Sequence, residues 1–154
     1  MTDYFSAANE IFSQFIKYWN VEAQTICGYT PDVHLQNRTK SIQGNEGEAQ
    51  SNLIWCLISQ QTVAETQASF RNGECGQSYE NDGLVFVQIF CPSDDTKSDE
   101  YGRKLAAVAR DAFRGKRTPG GVVFRNARVN ELPAEPQWVK FNSVAEYEYY
   151  EKTN

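Results

Sequence analysis

The sequence is poor in the residues on which most chemistry depends. Its 154 residues contain one histidine, His34, which sits in a stretch without a motif and is expected as a solvent-exposed loop residue rather than a catalytic base. No GxxxxGK[ST] or GxGxxG sequence occurs, so no phosphate-cradling loop is expected. The four cysteines, Cys27, Cys56, Cys75 and Cys91, lie far apart with no CxxC pair. They read as reduced thiols of a cytoplasmic product, not as a disulfide framework. Cys27 with His34 lacks the second ligand pair of a zinc finger. The longest apolar run, Leu53 to Ile58, is too short to span a bilayer, and the opening MTDYFSAANE has no basic n-region, so neither membrane insertion nor secretion is expected. For the same reason the sequon Asn37-Arg38-Thr39 reads as a chance match. No catalytic residue, cofactor or metal is expected, and the chain does not read as an enzyme.

What is present is enough for one domain, 1–154: 40% of residues are hydrophobic, which allows a proper core at this length. With 15 basic against 20 acidic side chains, the net charge of −5 argues against general affinity for nucleic acid or membrane surfaces. The charge is uneven. Between Gly102 and Arg128, eight cations (Arg103, Lys104, Arg110, Arg114, Lys116, Arg117, Arg125 and Arg128) face one acid, Asp111, a formal +7 that leaves −12 elsewhere. Part of this window suits a solvated helix face and a helix C-terminus. The rest implies two oppositely charged faces, which fit a head-to-tail contact between copies.

Periodicity supplies the elements. Tyr4, Ala8, Phe12, Phe15 and Trp19, widened by Ile11 and Ile16, predict a first helix with one buried face, and Asp3 is its expected N-cap. Residues 20–50 are mostly polar, punctuated by Gly28, Pro31, Gly44 and Gly47, and predict an extended loop or arm. SNLIWCLISQQ begins a strand that continues weakly through QTVAETQASF. Turn chemistry follows at Asn72-Gly73 and Asp82-Gly83, and Leu84 to Cys91 returns as a second strand. The pair reads as a long hairpin with a tip from Arg71 to Gly83 too polar for core.

Asp94 and Asp95 complement the dipole of a second helix, for which Thr96-x-x-Asp99 is the expected cap. Tyr101, Leu105, Val108, Ala112 and Phe113 line its buried face, and Gly115 stops it. GVVFRNARVNEL is the next strand. The closing stretch from Trp138 alternates Val139, Phe141, Ala145, Tyr147 and Tyr149 against Lys140, Asn142, Glu146 and Glu148. The expected class is α+β: a mainly antiparallel sheet with a long hairpin, and two main helices packed on one face.

The order of these pieces resembles the tail terminator (tail completion) proteins of long-tailed bacteriophages. The resemblance rests on an aromatic first helix, a strand ending QIFCP, an acidic linker, the helix DEYGRKLAAVARDAFRG, GGVVFRNARV after it, and a closing strand from Trp138-Val139 to YEYYE. It covers about two-thirds of the chain, from Leu53 onward, whereas residues 20–50 are longer than the connection typical of that family. The resemblance implies a structural virion protein without catalytic residues. It implies a homo-oligomeric ring, a hexamer, that caps the head-proximal end of the tail tube, stops tube polymerisation and offers the head-tail joining surface. The implied partners are further copies of the chain, the tail tube protein and head-neck connector proteins, with genomic DNA passing through the lumen without specific binding and no membrane. The implied location is the virion tail, with the host cytoplasm during assembly.

The candidate interface residues are Arg71 and Tyr79 in the hairpin tip and Arg110, Arg114 and Arg117 in the basic window. Two other readings fit the same sequence: another head-tail connector or tube component, and a host-directed binding module that uses the 102–128 window.

Overall fold

The computed structural model describes residues 3–38, 40–42, 53–69, 77–93, 95–133 and 135–153. Helix α1 spans Tyr4–Cys27, and the Asp3 carboxylate accepts the Ser6 N–H at 2.7 Å as its N-cap. Its buried row is Ala7, Ile11, Phe15, Trp19 and Ala23, spaced four apart. Tyr4, expected on that face, is 61% exposed, and Ala8 and Phe12 only flank it. The helix outruns the expected end at Trp19 because Ala23 extends the row by another turn. It stops at left-handed Gly28, whose N–H returns to the Gln24 carbonyl.

Part of the stretch expected as an extended loop is therefore regular structure. Residues 20–27 belong to α1, and strand β1, Asp32–Leu35, follows. Residues 43–50 lie outside the described residues. Trp19 ties the two elements together, its indole N–H donating to the Pro31 carbonyl at 3.2 Å.

Strands β2, Trp55–Ser69, and β3, Gln77–Pro92, form the expected long antiparallel hairpin. Helix α2 is Ser98–Asp111, and β4, Val123–Glu131, and β5, Trp138–Thr153, complete the molecule. The sheet order is β1-β2-β3-β5-β4, and every pairing is antiparallel except β1 with β2. This is the α+β class expected from the sequence.

Two local expectations change. Asp82-Gly83 is not a turn but lies within β3, paired to β2 on one side and β5 on the other. Asn72-Gly73 is outside the described residues. At α2 the Thr96 cap is not used: Lys97 is the N-cap without a side-chain bond, while the Asp95 carboxylate accepts the Lys97 N–H at 2.9 Å. After α2 the chain turns and leaves at Gly115, with φ 68°.

Both helices cover one face of the sheet. Phe15, Trp19, Phe113 and Phe124 form an aromatic column through the core, with Phe15–Trp19 centroids 5.2 Å apart and Phe113–Phe124 4.9 Å apart. Full burial of each such side chain stabilises by roughly 1.5–3 kcal/mol. Polar ties fix the layers: Ser143 Oγ donates to the Ala106 carbonyl at 2.7 Å, and the Glu10 carboxylate accepts from Thr118 Oγ1 at 3.0 Å and from the Gly120 N–H at 2.7 Å.

A three-stranded ribbon and a cationic corner as the candidate interface

Strand lengths decide where the molecule offers itself. β1 pairs with β2 only from Trp55 to Ile58, and β4 pairs with β5 only from Phe141 to Glu148. β3 and β5, by contrast, stay paired from Pro92↔Trp138 to Gln77↔Thr153. Past Gly83 the sheet therefore narrows to a ribbon of β2, β3 and β5. The hairpin expected to stand out as two strands is braced by a third.

Alternation sorts the ribbon's side chains between its faces. On the face away from the helices, Glu80, Asp82 and Glu148 bring carboxylate oxygens within 4.8 Å of one another. Arg125 Nη2 answers one of them by an ion pair to Glu148, and Arg128 Nη1 lies 3.5 Å from Glu146. On the opposite face Tyr147 and Tyr149 stack with centroids 6.3 Å apart, and burial pushes both hydroxyl pKa values up. Asn81 is 2% exposed, and its amide nitrogen has no hydrogen-bond partner among the described residues. Between α1 and the ribbon base lies a groove of about 430 Å³ lined by Tyr4, Phe12, Leu35, Arg38, Tyr147 and Tyr149. Among the described residues, no carboxylate, imidazole or thiol lines it.

The basic window is largely neutralised within the subunit. Arg103 bonds Asp99 and Glu131, Lys104 bonds Glu100, Arg110 bonds Asp111, Arg125 bonds Glu148 and Arg128 bonds Glu146. Exposed pairs of this kind add little stability, but they cancel the field that a partner would feel. Arg114, Lys116 and Arg117 are exposed with no carboxylate partner among the described residues. Arg114 Nη2 donates to the Ala127 carbonyl at 3.1 Å, Lys116 Nζ lies 6.0 Å from the Tyr18 ring centre, and the Arg117 backbone bridges Val123. The broad basic face expected from composition contracts to this corner after α2.

Of the candidate residues, Arg71 lies outside the described residues. Tyr79 is in β3, paired to Gln67 and Glu151, so it belongs to the body of the ribbon and not to a loop. Arg110, Arg114 and Arg117 follow one another along the end of α2 and its turn, with Arg110 half-buried against Asp111. The ribbon and the cationic corner are built by separate elements.

Among the described residues, His34, Cys56 and Cys91 are buried and Cys27 is half-buried. His34 is not the exposed loop residue expected: it is 6% exposed in β1, edge-on to Trp55 with centroids 5.2 Å apart. Burial pushes the Cys27 thiol up to about 11 and the Cys91 thiol up to about 12, and raises that of Cys56 well above its ordinary value. At neutral pH these sulfurs are protonated and poor nucleophiles. Cys75 lies outside the described residues. No described helix is long and apolar enough to cross a membrane.

No family model and no curated protein matches the chain. A solved structure does. A protein known by a serial designation alone aligns over 96% of this chain and 97% of its own, with a TM-score of 0.57 and 15% sequence identity. At that identity the likeness concerns the fold alone, and it covers nearly the whole of both chains rather than a fragment.

One surface escaped the sequence reading. On the face away from the helices, Trp55 stacks on Phe90 at 4.0 Å and Trp138 stands edge-on to both. The signal was available: LVFVQIFC is apolar at both parities, which marks a strand covered on both sides. Here the outer cover at this end is supplied by neighbouring aromatic side chains, with Lys140 Nζ 5.2 Å over the Phe90 ring.

Proposed function

We propose that the protein is a structural virion subunit that assembles into a ring, caps the head-proximal end of a bacteriophage tail tube, stops its polymerisation and presents the surface to which the head joins. The observation that carries this reading is the ribbon. A small subunit that carries three paired strands past the ends of β1 and β4, with residues 61–66 exposed along one side, devotes part of its sheet to something other than its own core. The order of sequence pieces that resembles tail terminators supports the same reading, as does the burial of His34, Cys56 and Cys91. Its partners on this reading are other copies of itself, the tube protein and a head-neck connector.

The test is assembly of tails with a subunit whose ribbon is shortened. Excision of Asn72 to Asn81 would cut into residues of β3 that pair with β5, so the better variant removes residues 67–79 and joins Thr66 to Glu80, which face each other in the hairpin, through Asn-Gly. Overlong or headless tails are expected by electron microscopy. Normal particles of uniform length would contradict the proposal. A tube component is distinguished by its product, since a tube protein polymerises alone and a cap forms a finite ring.

A further inference from the structure

The ribbon has two long sides, and they are not equivalent. On the β2 side the last edge-directed backbone ties seen among the described residues are the Gln36 N–H to the Ile58 carbonyl at 3.1 Å, and the Gln60 N–H to the Gln36 side-chain oxygen. From Gln61 to Thr66 every residue is exposed, and no strand neighbours this edge among the described residues. Alternate residues of such an edge direct an N–H and a C=O outward. Natural edges are commonly blunted by lysine, proline or inward charge. The segment Gln61 to Thr66, QTVAET, contains no lysine, arginine or proline, and it is rich in strand formers, with Val63 63% exposed.

The far edge of the sheet looks different. β4 is broken by a register shift between Arg125 and Arg128, with Asn126 at a left-handed φ of 52°. That edge is blunted. Beyond Glu148, however, β4 has ended, and β5 continues from Tyr149 to Thr153 with its outer side open among the described residues and Tyr150 45% exposed.

We infer that the Gln61 to Thr66 edge of β2 pairs, backbone to backbone, with the open Tyr149 to Thr153 edge of β5 in a second copy of this chain. β2 and β5 are both antiparallel to β3 and lie on opposite sides of it, so they run in the same direction. A joint between unlike edges therefore continues the sheet from copy to copy in parallel pairing. Such a contact is heterologous and can close into a ring. The competing two-fold joint of β2 with β2 would bring Glu65 of both copies toward one another on the face that carries Asn81 and Tyr149. Like charges opposed across a sheet are destabilising.

The inference rests on the ring reading above for closure, and the experiment separates the two. Amide hydrogen exchange of the full chain is measured at concentrations where sedimentation shows monomer and where it shows oligomer. Residues 61–66 and 149–153 are expected to exchange about tenfold more slowly in the oligomer, the protection of one net hydrogen bond. An oligomer without slowing at 61–66 would overturn edge pairing and leave the ring reading standing. Slowing confined to 61–66 in a dimer would overturn the head-to-tail joint in favour of the two-fold one. A chain that stays monomeric throughout would overturn both. Val63→Lys with Thr66→Lys, which places charge on the edge without touching the core, is expected to weaken association about tenfold or more at unchanged monomer melting temperature. Unchanged association would also overturn the inference.

Discussion

The Tyr147 ring lies across Gly83 at the base of the ribbon. A Cβ at Gly83 would overlap Tyr147 Cζ and its hydroxyl oxygen, and would sit 2.6 Å from the Gln61 carbonyl oxygen. The glycine that looked like half of a turn is instead the space into which an aromatic side chain of the neighbouring strand packs. Gly83→Ala is expected to destabilise the fold by about 1–3 kcal/mol through overpacking, with Tyr147→Leu in the same chain relieving part of the loss. Denaturant midpoints of the two variants decide it. No loss in the single variant would mean that the ring moves aside freely.

Glu10 is the corresponding lock on the helix side. Its carboxylate joins α1 to the turn before β4 through Thr118 and Gly120. Glu10→Ala leaves the buried Thr118 hydroxyl and a backbone N–H without this acceptor, so a loss of about 1–3 kcal/mol is expected. Chemical denaturation checks it, and a change below 0.5 kcal/mol, about the size of an ordinary surface substitution, would contradict the role.

The thiols give a pH prediction with a definite sign. Burial raises Cys91 from 9.0 to about 12 and Cys27 from 9.0 to about 11. The unfolded chain releases these protons first as pH rises, while the native chain keeps them. Their contribution to stability is therefore full below about 9 and is lost progressively between 9 and about 12. Melting temperature is expected to fall over that range, and less steeply in Cys91→Ala. Thiol labelling of the native chain at pH 8 should be slow at Cys27, Cys56 and Cys91, and assembly should be unaffected by reducing agents. Rapid labelling of Cys56 and Cys91 would contradict their burial.

The cationic corner is testable by charge reversal. Arg114→Glu with Arg117→Glu is expected to weaken self-association and to reduce its salt sensitivity, because these side chains have no carboxylate partner among the described residues of their own subunit. Sedimentation at low and high salt reads both effects. An unchanged oligomer would assign the corner to another partner or to solvent.

The sequence exposed what depends on period and hid what depends on pairing. The stripe Ile11, Phe15, Trp19 and the alternation Phe141, Ala145, Tyr147, Tyr149 announce a helix and a strand by spacing, and the α+β class follows. Residues 20–27 look irregular because Ala23 is the one fully buried side chain there, yet one alanine is enough to carry α1 a further turn. Asp82-Gly83 has the composition of a turn, and only the register with Tyr147 shows why a strand needs glycine at that point. The basic window was legible as a count, but its meaning was not. Glu131, Glu146 and Glu148, distant in sequence, return to cancel much of it. The ribbon itself follows from three strand lengths compared across the sheet, a comparison that periodicity along any one strand does not contain.

The most direct test of the central claim is the length of tubes polymerised from the cognate tail tube protein in the presence and absence of this chain, measured by electron microscopy. The account predicts that added subunit appears as a ring at one end only and halts growth there, so that tubes stay short while unsupplemented tubes lengthen. Tubes of the same length distribution with and without it, or subunit incorporated along the tube wall, would contradict the account.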